Sequence, residues 1–346
     1  MSVSDELAEI DLILEKAKNA QIEFERGGNQ ELFDRAADAA AWALMKPNQN
    51  SELAELAVAE TGLGNVDDKI TKNHRKTLGL LRDIQGKQSF GLVKNCEKTG
   101  ISEYLRPKGV VGAIIPSTNP LATPVNNIVN ALKTGNAIVL APSPKGAMPL
   151  LKLLEYIHKE FDRFGFDHDL VQILPLPPSK NKTARLMEKA DLLVVTGSQN
   201  NVRAAYSSGT PAIGVGMGNV VTIVDETADL LKAAKKIATS KCFDNATSCS
   251  SENSVIVVDS VYEDFLQAIS VEGGMILDRK QTDLLIKTHW SNGKINRGML
   301  AKNIETVLSV LNLKNHAQPH TKFLVAPATE IGVSAPICGE KMALFC

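Results

Sequence analysis

A chain of 346 residues, 44% of them hydrophobic, has an ordinary globular composition and is long enough for two cores. Its 38 Lys and Arg are interspersed with 39 Asp and Glu, leaving a formal charge of -1, which argues against a nucleic-acid or anionic-membrane surface. Five cysteines, an odd number with no C-x-x-C pair or His/Cys cluster, argue against a disulfide framework or zinc site and point to a reducing, cytoplasmic setting, and no apolar run approaches the roughly 20 residues of a membrane span.

Residues 1–87 read as helices. Ser4 with Asp5 and Glu6 opens the first, in a charged amphipathic pattern unlike a signal peptide. Asn29 opens a second that runs to about Leu44, and Ser51 with Glu52 is expected to cap a third. Residues 88–108 hold two short alternating runs, S-F-G-L-V and I-S-E-Y-L, around a polar turn at Asn95 to Gly100, the pattern of a β-hairpin.

From Gly109 the pattern changes. The apolar runs G-V-V-G-A-I-I-P, N-A-I-V-L-A, V-Q-I-L-P and D-L-L-V-V-T alternate with helical stretches at Pro124–Lys133, Gly146 to about Phe164, and Lys180–Lys189. Strands alternating with helices predict an α/β fold with a parallel sheet covered on both faces. Such sheets bind ligands at the carboxyl ends of their strands. Three loops there stand out: I-I-P-S-T-N-P (Ile114 to Pro120), L-A-P-S-P-K-G (Leu140 to Gly146) and V-T-G-S-Q-N-N-V-R (Val195 to Arg203). Gly197 and Ser198 open a helix whose backbone N–H groups suit a cofactor phosphate. The spacing is not G-x-G-x-x-G, so a plain Gly-Ser helix cap fits these two residues equally well.

The run K-C-F-D-N-A-T-S-C-S-S-E-N-S, Lys241 to Ser254, is the most informative stretch. Cys249 sits among Thr247, Ser248, Ser250 and Ser251, with no bulky neighbour to shield it. A lone cysteine is more often a small buried packing residue. An accessible thiol is instead a nucleophile toward a carbonyl carbon. Cys242, at the end of a helical pattern, reads as packing.

Together these segments, with R-A-A-Y-S-S-G-T-P-A-I-G-V-G-M-G-N and D-E-T-A-D, resemble the aldehyde dehydrogenase superfamily in order and spacing, specifically its CoA-acylating branch. E-T-G-L-G-N-V-D-D-K-I-T-K-N-H-R-K and A-T-S-C-S-S-E-N-S look most like the acylating sulfoacetaldehyde dehydrogenases. The resemblance implies a Rossmann-type cofactor domain over 109–244 with the helices of 1–87 added to it, an oligomerisation-type hairpin arm over 88–108, and an α/β catalytic domain over 245–346. It implies a homo-oligomeric enzyme using NAD or NADP and coenzyme A on a small aldehyde, most simply sulfoacetaldehyde, with other short-chain aldehydes as the alternative. Cys249 is then the nucleophile. Asn119, with the Cys249 N–H, is the oxyanion donor. Pro116, Ser117, Thr118, Ser143, Lys145, Gly197, Ser198, Val202, Gly214, Gly216 and Gly218 become cofactor-binding residues.

Three departures from the family sharpen the reading. Hydrolytic members carry a Glu in E-L-G-G that activates water; the matching G-V-G-M-G-N, Gly214 to Asn219, holds no carboxylate. Water attack is slow without a base, whereas a thiol is already a few per cent thiolate at neutral pH. The second loop has Ser143 and a displaced Lys145, either a partner for an NADP 2′-phosphate or a solvated lysine. Finally, Ala335-Pro336-Ile337 replaces the family's Glu-Pro-Phe, and the chain stops inside an apolar run where the family continues. A truncated catalytic domain is therefore expected, from a fragment or a shortened product, with an inactive chain as the other reading. Arg75 and Lys76, beside Lys72 and His74, suit a sulfonate, or else form a solvated basic face.

Overall fold

A computed structural model describes residues 3–291, 294–328, 330–332 and 334–346. Its contacts divide the chain into two units, Met1–Thr61 with Lys69–Gly216, and Gly62–Asp68 with Met217–Cys346.

The first unit opens with helices α1 (Val3–Arg26), α2 (Gln30–Met45), α3 (Pro47–Thr61) and α4 (Val66–Ile84), the first turn of α4 grouping with the second unit. Asn29 caps α2 as expected, its side chain accepting the Leu32 N–H at 2.8 Å. The buried face of α2 carries Ala36, Ala37, Ala40 and Ala41, small enough for close packing on other helices. The expected cap at Ser51 is corrected: α3 begins at Pro47, and Ser51 lies inside it. Proline's fixed φ and missing N–H suit the first helical position. The hairpin forms from β1 (Gly91–Cys96) and β2 (Ile101–Leu105), paired antiparallel and exposed along most of both strands.

Next come β3 (Val110–Ile115), α5 (Ala122–Lys133), β4 (Ala137–Pro142), α6 (Ala147–Phe164), β5 (Val171–Ile173), α7 (Lys180–Lys189), β6 (Leu192–Thr196), α8 (Gln199–Tyr206) and β7 (Ala212–Val215). The strands form one parallel sheet in the order β5-β4-β3-β6-β7. β3 and β4 are buried at every position, as unbroken apolar runs between two helical layers should be.

In the second unit, β8 (Val220–Val224) and β9 (Glu252–Val257) pair in parallel across α9 (Leu230–Cys242). α10 (Tyr262–Val271), β10 (Gly274–Ile276), α11 (Arg279–His289), β11 (Trp290–Ser291), β12 (Lys294–Ile295), α12 (Ile304–Val310) and β13 (Phe323–Val325) follow. β10 pairs with β13 in parallel, and Asp278 with Gln281 forms a capping box on α11. The division falls after Gly216, not after residue 244, because β8 pairs with β9 and the five-stranded sheet stops at β7. V-V-T-I-V reads as one more buried strand in series, and an apolar run does not say which sheet it joins.

Candidate active site

Because all five strands of the first unit are parallel, the loops after β3, β4 and β6 emerge at the same edge. The chain reverses direction across the sheet between β3 and β6, the place where ligand crevices open in such folds. Pro116, Ser117, Thr118 and Asn119 form a half-buried turn after β3. The loop after β4 packs on it: Ser143 N–H donates to the Ile115 carbonyl at 3.2 Å, and a side chain on Gly146 would strike Ser143 Oγ and Pro120. The Ser143 hydroxyl is buried with no hydrogen-bond partner among the described residues. An orphaned hydroxyl at a carboxyl edge suits a ligand oxygen, since leaving it unpaired costs about 1–3 kcal/mol. Lys145 is exposed. Ser198 caps α8 through the Asn201 N–H at 3.3 Å, with Gly197 immediately before it.

The glycines of Gly214–Asn219 divide by role. A Cβ on Gly214 would lie 2.8 Å from Val202 Cγ1, and one on Gly216 would lie 2.4 Å from Gln199 Oε1. The missing side chain of Gly214 makes room for Val202 and Tyr206 of α8, whereas at Gly216 the near neighbour is the flexible end of the exposed Gln199 side chain. Tyr206 adds to this packing, its hydroxyl accepting the Gly214 N–H at 3.1 Å.

In the second unit, Gly218 is open: its Cβ would meet only the Cys249 carbonyl oxygen, 3.8 Å away. The carboxylate-free stretch therefore reaches the backbone of the cysteine. Cys249 is exposed, in a turn closed by the Ser251 N–H on the Ser248 carbonyl at 3.0 Å. Cys242 differs, as expected of a packing residue: it is half-buried, and burial pushes its thiol up to about 11. Ahead of the turn, Asp244, Asn245 and Ala246 have φ of 50°, 50° and 60°. Asp and Asn tolerate the left-handed region, but an alanine there costs about 1–2 kcal/mol, and three such residues in succession are uncommon.

Sequence reasoning missed several residues around this cysteine. Lys241 is fully buried, donates to the Glu252 carbonyl at 2.9 Å, and is lowered to about 8 chiefly by burial. It shares the buried stripe of α9 with Ala234, Ile237 and Ala238, so a lysine on an apolar stripe was the available signal. Lys341, also buried and lowered to about 8 chiefly by burial, donates to the Asn253 and Gly339 carbonyls. Burial raises the pKa of the Glu340 carboxyl, an effect that the nearby Gly218 N–H partly offsets. Ala335 and Ile337, at the place of the family's Glu-Pro-Phe, are buried core residues. On α4 the basic cluster splits: Lys69 and Lys72 are buried, while His74, Arg75 and Lys76 are exposed.

A doubly wound parallel sheet, joined in one chain to a unit that presents an accessible cysteine, defines the class. Residues 4–272 match the aldehyde dehydrogenase family, and the chain belongs to it. Over 96% of its length it is 50% identical to an acylating sulfoacetaldehyde dehydrogenase of Cupriavidus necator, and over 80% of its length it is 42% identical to one of Bilophila wadsworthia. It spans 67% and 61% of the lengths of these two relatives. The crystal structure of an acetylating aldehyde dehydrogenase from Geobacillus thermoglucosidasius superposes with a TM-score of 0.93 at 31% identity, over 99% of this chain and 75% of that one. The family and the acylating branch expected from sequence are borne out.

Proposed function

We propose that the chain performs the acylating oxidation of a short aldehyde, sulfoacetaldehyde, to its coenzyme A thioester. The Cys249 thiolate adds to the aldehyde carbon, giving a thiohemiacetal whose oxyanion takes hydrogen bonds from the Asn119 amide and the Cys249 N–H. NAD or NADP, when bound, supplies the hydride acceptor, and loss of hydride leaves a thioester on Cys249. The CoA thiolate then attacks that thioester, releases sulfoacetyl-CoA and frees the Cys249 sulfur. Aldehyde, CoA and NAD(P)+ go in; acyl-CoA, NAD(P)H and a proton come out. Pro116, Ser117, Thr118, Ser143, Lys145, Gly197, Ser198 and Gly218 are assigned to the cofactor side. The orphaned Ser143 hydroxyl supports that assignment most directly. Val202, Gly214 and Gly216 are assigned to the same side, with Gly214 packed on Val202.

The observation that carries the acylating reading is the stretch Gly214–Asn219, which has no carboxylate and reaches the Cys249 backbone at Gly218. The test is product analysis with and without CoA. Turnover that needs CoA and yields a thioester supports the reading. Free acid formed at a comparable rate without CoA overturns it and directs attention to Glu340 as an activator of water. In the same assay Cys249→Ala should lose at least about a thousand-fold in rate, while Cys242→Ala keeps most activity. Equal losses would reject Cys249 as the nucleophile.

Free cysteines throughout the chain support a cytoplasmic setting. The exposed Leu92, Ile101 and Tyr104 of the hairpin support its use as an oligomer arm, since a lone two-stranded hairpin is marginal in water. No helix among the described residues is long and apolar enough to cross a membrane. Gel filtration of a Tyr104→Lys variant tests the arm: an unchanged assembly rejects it.

A further inference from the structure

The left-handed turn ahead of Cys249 is held by a carboxylate that the reaction does not use. Asp244 is fully buried. Its Oδ1 accepts the backbone N–H of Asn65 at 3.0 Å, and its Oδ2 accepts the Thr247 hydroxyl. Its own N–H donates to Asp68 Oδ2 at 2.7 Å, which also takes the Asn65 side-chain amide at 2.7 Å. Asn65 Oδ1 in turn accepts the Asp68 N–H at 2.9 Å. The segment Gly62–Asp68 and the turn thus interlock through two carboxylates and an amide. At the other flank, Lys241 joins the chain before the loop to Glu252 after it. The ten residues between them have their entry fixed by Asp244 and their ends fixed by Lys241.

A backbone that L residues avoid persists only where its surroundings over-determine it, and such places cluster at functional sites. Here the over-determination is Asp244 itself, and the turn it holds ends three residues before the nucleophile. We propose that Asp244 is a positioning residue, whose clamp on Asn65 and Thr247 sets the approach of Cys249 to the aldehyde. The inference rests on the reading of Cys249 as nucleophile. A displacement of about 1 Å at a reacting atom costs on the order of a hundred-fold in rate. Loosening this clamp should therefore slow the chemical step, not substrate binding.

Asp244→Asn keeps the shape but turns an amide N–H toward a donor. Thr247→Val removes a single donor from the carboxylate. The readout is the burst of NAD(P)H in full-length protein given aldehyde without CoA: its amplitude counts competent thiols, and its rate constant reports acyl-enzyme formation. Asp244→Asn should keep the amplitude and lower the burst rate at least ten-fold, with a smaller loss of the same kind in Thr247→Val. Asp225→Asn, an exposed aspartate that caps its own turn through Thr227, should leave the rate unchanged. A merely structural role predicts the opposite split, with amplitude lost and rate kept, and that result overturns the proposal. So do burst rates within two-fold of the parent in both variants. If Asp244→Asn fails to fold, Thr247→Val decides alone. A full burst in Cys249→Ala would instead sink the reading on which the inference rests.

Discussion

The Lys241 ammonium donates to the carbonyl oxygen of Glu252 across 2.9 Å, closing the base of the loop that carries Cys249. A fully buried lysine is rare because desolvation penalises its charge. Both its position and its proton are therefore tied to the integrity of the loop.

That desolvation makes stability depend on pH. Lys241 falls from 10.5 to about 8 in the folded chain, so between those values the unfolded chain holds a proton that the folded chain has lost, and stability rises with pH. Below about 8 the lysine is charged in both states, and the contribution is gone. Lys341, also at about 8, acts in the same direction. Cys242, raised from 9.0 to about 11, opposes them above pH 9, because the folded chain keeps its thiol proton longer. Thermal melts at pH 8 and 9 should show Tm rising by a few degrees, since one proton over one pH unit is worth about 1.4 kcal/mol at most. Lys241→Met should remove about half of that rise. A parent Tm that falls over this interval counts against the assignment.

Much of this was legible in the sequence, and the failures have physical causes. Lys180–Lys189 falls where its 3.6-residue pattern put it, and the hairpin turn ends at Gly100 as marked but starts after Cys96, since Asn95 pairs with Ser102 inside the strand. The cysteine stood out because small polar neighbours cannot bury a thiol. Lys241 was hidden inside an apolar stripe. Asp244 and Asn245 are residues that tolerate a left-handed backbone, but the role of Asp244 was hidden because its partner Asn65 is 179 residues away. The packing of Gly214 on Val202 was hidden for a related reason: sequence shows that a side chain is missing, not what fills the space.

Gly214 and Gly218 should separate packing from ligand approach. Gly214→Ala drives a methyl into Val202 and should destabilise by about 1–3 kcal/mol. Gly218→Ala meets no clash and should leave Tm within about one degree, a shift that corresponds to a few tenths of a kcal/mol. A loss of CoA-dependent rate in Gly218→Ala at unchanged Tm then marks close approach by a ligand. Equal destabilisation of both variants would erase the distinction.

Cofactor choice is expected to favour NADP through Lys145, exposed at the carboxyl edge two residues after Ser143. Exposed ion pairs are worth up to about 1 kcal/mol, so Lys145→Gln should raise the KM for NADP up to roughly five-fold and leave that for NAD alone. An unchanged ratio of the two constants would return Lys145 to an ordinary solvated lysine.

The last prediction concerns substrate charge. A sulfonate carries a full negative charge, and its site should supply a cation. Arg75 is the side chain singled out from sequence, and the structure places it exposed on α4. A charge-assisted contact out of water is worth about 1.5–3 kcal/mol, whereas an exposed one reaches only about 1 kcal/mol. Exposure therefore lowers the expected effect of Arg75→Ala to roughly a five-fold loss of kcat/KM for sulfoacetaldehyde, with acetaldehyde barely affected. Lys72, buried on the same helix, belongs to the larger range if it is the sulfonate contact. Steady-state kinetics with both aldehydes on Arg75→Ala and Lys72→Met separate these cases. A selective five-fold loss at Arg75 supports the assignment, and a selective loss above ten-fold confined to Lys72 moves the sulfonate to the buried face. If both aldehydes respond alike in both variants, or acetaldehyde is the better substrate of the parent, a general short-chain aldehyde replaces the sulfonate.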